Sequence, residues 1–178
     1  MKTINDIEIR EEHFRNEKYN FQPKLTLKLD AISSDFNQEV INQIVLWKVN
    51  RYVEIDDGTL ALLNKIKKDA VLFDEDLTRE VLRKLLSTKG IQLPMASTIL
   101  KFKNPNVYQI IDQRVYRFIY GKNLPNYFSS IDSQIDLYLG YLQKLHDACI
   151  EKDIEFKFSD RIIYELDKEY NKEVKIRH

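Results

Sequence analysis

Apolar positions recur with helical spacing along almost the whole chain. Side chains three and four residues apart share one face of a helix, and that spacing recurs here in segment after segment. Val40, Ile44 and Trp47, with Arg51, lie on one face of a stretch over 36–52 that Asp35 is placed to cap. Leu60, Leu63 and Ile66, with Lys67, repeat the spacing after Asp56 or Asp57. Leu77, Val81, Leu82, Leu85 and Leu86 follow Asp74-Glu75-Asp76, whose acids suit a helix N-terminus. Pro94 fits the first turn of a helix through Ala96, Ile99 and Leu100 to Phe102. Asn104-Pro105-Asn106 is a break that can restart a helical turn through Ile110. Asp112 is placed to cap a helix ending at Gly121. Ile131, Ile135, Tyr138, Leu142, Leu145 and Cys149 mark a long helix over 130–151, and Ser159 caps a last one to about residue 171. Two stretches differ. Residues 1–20 are charged and poorly periodic, with room for one helix near 6–18, and Leu25–Leu29 alternates as an extended segment would.

Composition supports a helical reading. Four glycines and four prolines leave few positions for the turns of an all-β fold, and 43% hydrophobic residues is ordinary for a globule. A chain of 178 residues is long enough for one domain with a real core. The expected fold is all-α: a single domain over 1–178 with two helical lobes, and a cleft beside a hairpin at about 80–102. No apolar run reaches membrane-spanning length, and Met1–Asp6 lacks the apolar core of a signal peptide, so a cytoplasmic location and no membrane partner are expected. The single cysteine, Cys149, excludes an internal disulfide and a cysteine-held iron–sulfur cluster or zinc site. His13, His146 and His178 are scattered without metal-ligand spacing, so no metal ligand is assigned.

Charge and chemistry converge on residues 80–117. Thr88-Lys89-Gly90-Ile91-Gln92-Leu93-Pro94 reads as a tight hairpin between two helices, which presents backbone N–H groups at a helix N-terminus to an anion. Residues 79–122 hold nine Lys and Arg against two acids, although the whole chain is neutral. A basic surface on a neutral protein is enough for phosphate contact. Lys89, Lys101 and Lys103 are expected to be exposed there, and with Arg114 and the backbone near Gly90 and Gln92 they are the candidate DNA contacts. Asp112 is the candidate catalytic carboxylate, with helix capping as its plain alternative. Trp47 fits core packing or base stacking, Lys48 offers an alternative amine, and Tyr116, with Tyr108 and Tyr120, is a stacking candidate.

Leu82–Phe118 resembles the helix-hairpin-helix DNA glycosylase superfamily, which includes endonuclease III and the 8-oxoguanine and adenine glycosylases. The likeness is strongest at Gly90, Ala96 and Asp112-Gln113-Arg114-Val115 and covers about forty residues. It implies that the hairpin grips the phosphate backbone and can hold a monovalent cation through its carbonyls. It also implies that Asp112 stabilises positive charge on the sugar as an N-glycosidic bond breaks. Three positions depart from the family. Pro94 stands where bifunctional members carry a lysine nucleophile, so no Schiff-base lyase is expected. Gln92 stands at the second hairpin glycine, where a side chain obstructs close phosphate approach. The four-cysteine cluster loop is absent. The expected activity is a monofunctional glycosylase acting on a flipped, damaged base. The alternatives are a binding module on the same scaffold that has lost its chemistry, and a plain helical bundle.

Overall fold

The structure, a computed structural model, describes residues 21–33 and 35–175, all of them in helices, turns or irregular chain. The helix expected near 6–18 lies outside the described residues. The chain divides into two compact units, Met1–Tyr52 and Val53–His178.

The first unit pairs α1 (Pro23–Asp30) with α2 (Gln38–Lys48). The alternating Leu25–Leu29 segment is helical rather than extended. Pro23 occupies the first turn, where its missing N–H costs nothing, and Leu25 is buried. Asn37, not Asp35, caps α2 by accepting the Val40 N–H at 3.0 Å, and the helix stops at Lys48. Trp47 gives its indole N–H to Thr26 Oγ1 at 2.9 Å and meets Phe21 edge-on.

The second unit contains α3 (Asp57–Leu63), α4 (Glu75–Ser87), α5 (Leu93–Lys103), α6 (Gln113–Tyr120), α7 (Ile131–Glu151) and α8 (Ser159–Tyr170). Each start has a physical cause. Asp56, Asp74 and Asp112 accept backbone N–H groups of α3, α4 and α6, and Ser130 forms a reciprocal capping box with Ser133 on α7. A 3-10 turn over Phe156–Phe158 leads into α8, where Ser159 is the first helical residue rather than its cap. Gly121 ends α6 at φ +67°, a backbone conformation that glycine adopts without penalty.

The core forms where α4 packs on α7 and α6 on α8. Val81, Leu82 and Leu85 of α4, Leu100 of α5, and Ile135, Tyr138, Tyr141 and Leu145 of α7 are fully buried. Each buried leucine contributes about 1.5–3 kcal/mol relative to an exposed one. A single turn closes over Pro105–Val107, where the Tyr108 N–H donates to the Asn104 carbonyl at 3.2 Å, and no helix continues to Ile110. Asn104 takes over there: it is buried, and its amide donates to the Lys67 and Ala70 carbonyls at 2.7 and 2.8 Å. Its side-chain oxygen accepts the Asn106 N–H at 2.9 Å, which turns the chain towards residues 108–112.

Candidate functional site

The hairpin between α4 and α5 closes through the Ile91 N–H, which donates to the Thr88 carbonyl at 3.1 Å. Gly90 sits at φ +91°, so any side chain there would strain the turn. Ile91 and Leu93 point into the core while Lys89, Gly90 and Gln92 stay exposed. Gln92 is the N-cap residue of α5, but its side chain makes no capping bond.

The chain from Gln109 to Ile111 delivers Asp112, and three side chains from two helices strap it in place. Tyr138 gives its hydroxyl hydrogen to the Gln109 carbonyl at 2.9 Å, and Tyr141 to the Ile110 carbonyl at 2.7 Å. The Ile111 N–H donates to Ser97 Oγ at 3.2 Å. Buried backbone polar groups cost free energy unless paired, so these bonds fix the position of Asp112 as well as satisfying the segment.

Asp112 Oδ1 accepts the Val115 N–H at 2.8 Å and caps α6. Asp112 also lines a pocket of about 820 Å³. The same pocket is walled by Gln92, Leu93 and Pro94 from the hairpin, by Arg114, and by Tyr127, Phe128 and Tyr164. Burial pushes the Asp112 carboxyl above the usual carboxylate range, the Val115 and Arg114 backbone N–H groups pull it back, and the charges of Asp160 and Asp167 push it up further. Hairpin and carboxylate, 18 residues apart between Pro94 and Asp112, therefore share one concave surface.

The basic residues do not form the expected surface. Lys101 was expected to be exposed, but it is 4% exposed and lies inside the fold. Its ammonium donates to Gln109 Oε1, to the Lys157 carbonyl and, at 3.2 Å, to Asp160 Oδ1. Burial lowers its pKa, and Asp160 offsets part of that. The physical reason is the register of α5. Residues 93, 96, 97, 100 and 101 share its inward face, and Asp160 at the start of α8 supplies the counter-charge. Arg117 is buried as well, and it grips Asp167 Oδ1 and Oδ2 at 2.7 and 2.8 Å. Arg79 pairs with Glu75 and Asp136, and Arg83 with Asp132. Arg114 gives Nη1 to Asp167 at 3.1 Å. Five of the nine basic residues thus meet carboxylates, most of them from 132–167, outside the basic stretch. Lys84, Lys89 and Lys122 are exposed and make no ion pair among the described residues, and Lys103 donates to Asn64 at 2.7 Å.

Tyr116 is a correction of the same kind. It is 3% exposed, stacked on Tyr120 with ring centroids 4.3 Å apart, and does not line the pocket beside Asp112. Helical periodicity puts it on the inner face of α6 with Val115. Trp47 and Lys48 belong to the first unit, where Trp47 is engaged with Thr26 and Phe21 and Lys48 is exposed. Of the aromatic residues that do line the pocket, Tyr127 and Phe128 were not singled out from the sequence, and Tyr164 only as the end of the Asp160–Tyr164 stretch that vaguely resembles the family. Tyr127 and Phe128 follow Leu124-Pro125-Asn126, a turn-forming run before the cap of α7, whereas Tyr164 comes from α8. No cluster of His, Cys, Asp and Glu suited to a metal ion occurs among the described residues, and none of their helices is long and apolar enough to cross a membrane. Compared with protein-family models, with curated proteins and with solved structures, the chain matches none.

Proposed function

We propose that this chain binds DNA through the 88–93 hairpin and releases a damaged base by hydrolysis of its N-glycosidic bond, with Asp112 as the catalytic carboxylate. One observation carries the reading: Asp112, strapped in place and pushed up by burial, opens onto the same pocket as the hairpin. A base turned out of a duplex needs a pocket of this kind, with aromatic walls and fixed polar groups. As the bond between sugar and base breaks, positive charge grows on the sugar, and a fixed carboxylate at short range lowers the barrier electrostatically. Water then supplies hydroxide to the sugar carbon and a proton to the departing base. Pro94 on the pocket wall offers no amine, so no Schiff base forms there. The Lys89, Gly90 and Ile91 carbonyls accept no hydrogen bond among the described residues and would be the candidates to hold a monovalent cation of the kind the resemblance implies, which would add positive charge beside a phosphate.

The test is base release from duplexes carrying alkylated, deaminated and oxidised bases, with Asp112→Asn as control. Release by the wild type and its loss in a folded Asp112→Asn supports the reading; inactivity across the panel ends it.

A second reading has its own support. The ion pairs that consume five of nine cations reduce the charge available for DNA, which favours a module that binds weakly and without chemistry. Salt-dependent DNA affinity without base release would establish that reading instead.

A further inference from the structure

Arg114 stands beside Asp112 on the wall of the pocket, and its side chain is 26% exposed. Among the described residues it makes one hydrogen bond, from Nη1 to Asp167 Oδ2 at 3.1 Å. Asp167 does not depend on that contact. Arg117 holds both carboxylate oxygens at 2.7 and 2.8 Å, and Asn171 adds a bond at 2.9 Å. Arg114 Nε and Nη2 make no hydrogen bond among the described residues, so a planar donor fork is left for a ligand. The guanidinium also lies 5.6 Å from the ring centre of Tyr164, and Lys168 lies over the same ring at 5.6 Å. The Tyr164 π-system thus already serves two cations. Among the described residues, Asp112 and Arg114 are the charged side chains on the wall, and their formal charges are opposite.

We propose that Arg114 makes this pocket select a neutral, carbonyl-bearing base and reject a cationic one; the inference rests on the base-releasing reading of the site. Three interactions lead there. A cationic base gains from an aromatic face and a carboxylate, but here the aromatic face is shared with cations and the carboxylate is offset by a neighbouring guanidinium. A carbonyl oxygen accepts from the free Nε and Nη2 donors without giving up the Asp167 contact. The Gln134 amide, which makes no side-chain hydrogen bond among the described residues, lines the same wall and supplies a donor and an acceptor for a base edge.

The experiment measures binding of two free nucleosides to the full chain by NMR titration. Uridine is neutral with two ring carbonyls, and 7-methylguanosine carries a positively charged ring. Wild type is expected to hold uridine at least about tenfold more tightly, the scale on which one well-placed polar contact discriminates. Arg114→Gln should weaken uridine and strengthen 7-methylguanosine, so that the ratio collapses. Arg114→Lys keeps the charge and loses the fork, so it should still exclude 7-methylguanosine while uridine weakens. Circular dichroism and a melting curve establish that each variant is folded, and if Arg114→Gln fails to fold, Arg114→Lys decides. Equal or tighter binding of 7-methylguanosine by wild type, binding of neither nucleoside, or an unchanged ratio in the folded variant overturns the inference. Base release is read separately. Inactivity on every damaged duplex with the uridine preference intact ends the base-releasing reading alone. A larger acceleration over the uncatalysed rate for a cationic alkylated base than for uracil ends the selectivity alone.

Discussion

Two aspartates meet α6, Asp112 as the cap of its N-terminus and Asp167 reaching it from α8, and the fold treats them in opposite ways. At the N-terminal end, Asp112 takes one backbone N–H bond, faces a pocket, and is pushed up by burial and by neighbouring carboxylates. From the first and second turns of the helix, Arg114 and Arg117 reach Asp167 of α8, which is 0% exposed and accepts from both arginines and from Asn171. Burial pushes that carboxyl up too, but the bonds from Arg117, Asn171 and Arg114 outweigh it and hold it below the usual range. The difference teaches that one carboxylate holds two helices together while the other is left facing a pocket. A paired buried carboxylate ties α6 to α8 and holds the tail, because Arg117 also donates to the Val174 carbonyl at 2.8 Å. An under-compensated carboxylate at a pocket is costly to keep charged, and that is the condition in which it can stabilise a transient cation.

The comparison breaks first if the buried end is not what secures the fold. Asp167→Ala strands the buried Arg117, and loss of one member of such a pair costs about 3–5 kcal/mol. Urea unfolding should show that loss. Lys101→Met strands Asp160 at the other buried pair and should cost a similar amount, about 3–5 kcal/mol, in the same assay. The pH dependence has a definite sign. Asp167 has a lowered folded pKa, so its contribution is present above its unfolded value of about 3.9 and is lost as pH falls through the folded value. Acid unfolding of the wild type should steepen in that region, and Asp167→Asn should flatten it.

Next in size is the pocket end. Asp112→Asn keeps a good cap, so the fold should survive while base release falls at least about 10²-fold, the usual loss when one stabilising group is removed. The sign of its titration is opposite to that of Asp167. Its raised folded pKa gives stability that is complete below the unfolded value and lost as pH rises through the folded one. Asp112→Asn should therefore be relatively more stable than wild type at neutral pH than in acid, and thermal melts at the two conditions measure this. Asp112→Ala removes the cap as well and should cost about 0.5–2 kcal/mol. If Asn and Ala lose equal activity and equal stability, the cap and the chemistry are not separable and the contrast fails.

The smallest effect concerns DNA. Lys89→Glu lies on the exposed hairpin and should weaken binding uniformly across sequences, reducing the slope of log affinity against log salt by about one. An unchanged slope would show that the hairpin does not meet phosphate.

Much of the helical plan was legible in the amino-acid sequence because caps and periodicity are local. Asp74 before an acidic first turn, Gly121 after the last apolar residue of α6, and the seam from Ile135 to Cys149 each encode their own boundary within a few residues. Asp112 as the cap of α6 was legible for the same reason. Misreadings arose where a partner distant in sequence decides. Leu25–Leu29 alternates, yet it is helical. Isolated periodicity over five residues cannot separate the two states, and contact with α2 decides it.

The limit is sharpest in the charges. Sequence alone established nine basic residues in one short stretch, a hairpin that needs glycine at Gly90, and an aspartate that starts a helix. Tertiary structure decided which of those charges reach the surface. Asp132, Asp136, Asp160 and Asp167 arrive from 49 to 59 residues away to take Arg83, Arg79, Lys101 and Arg117. A charge in a sequence has no address until packing assigns it a neighbour, since Coulomb interaction depends on distance in space and on the dielectric around it. The same holds for the pocket. Tyr127, Phe128 and Tyr164 meet the hairpin only because α7 and α8 pack where they do, and no local pattern encodes that meeting.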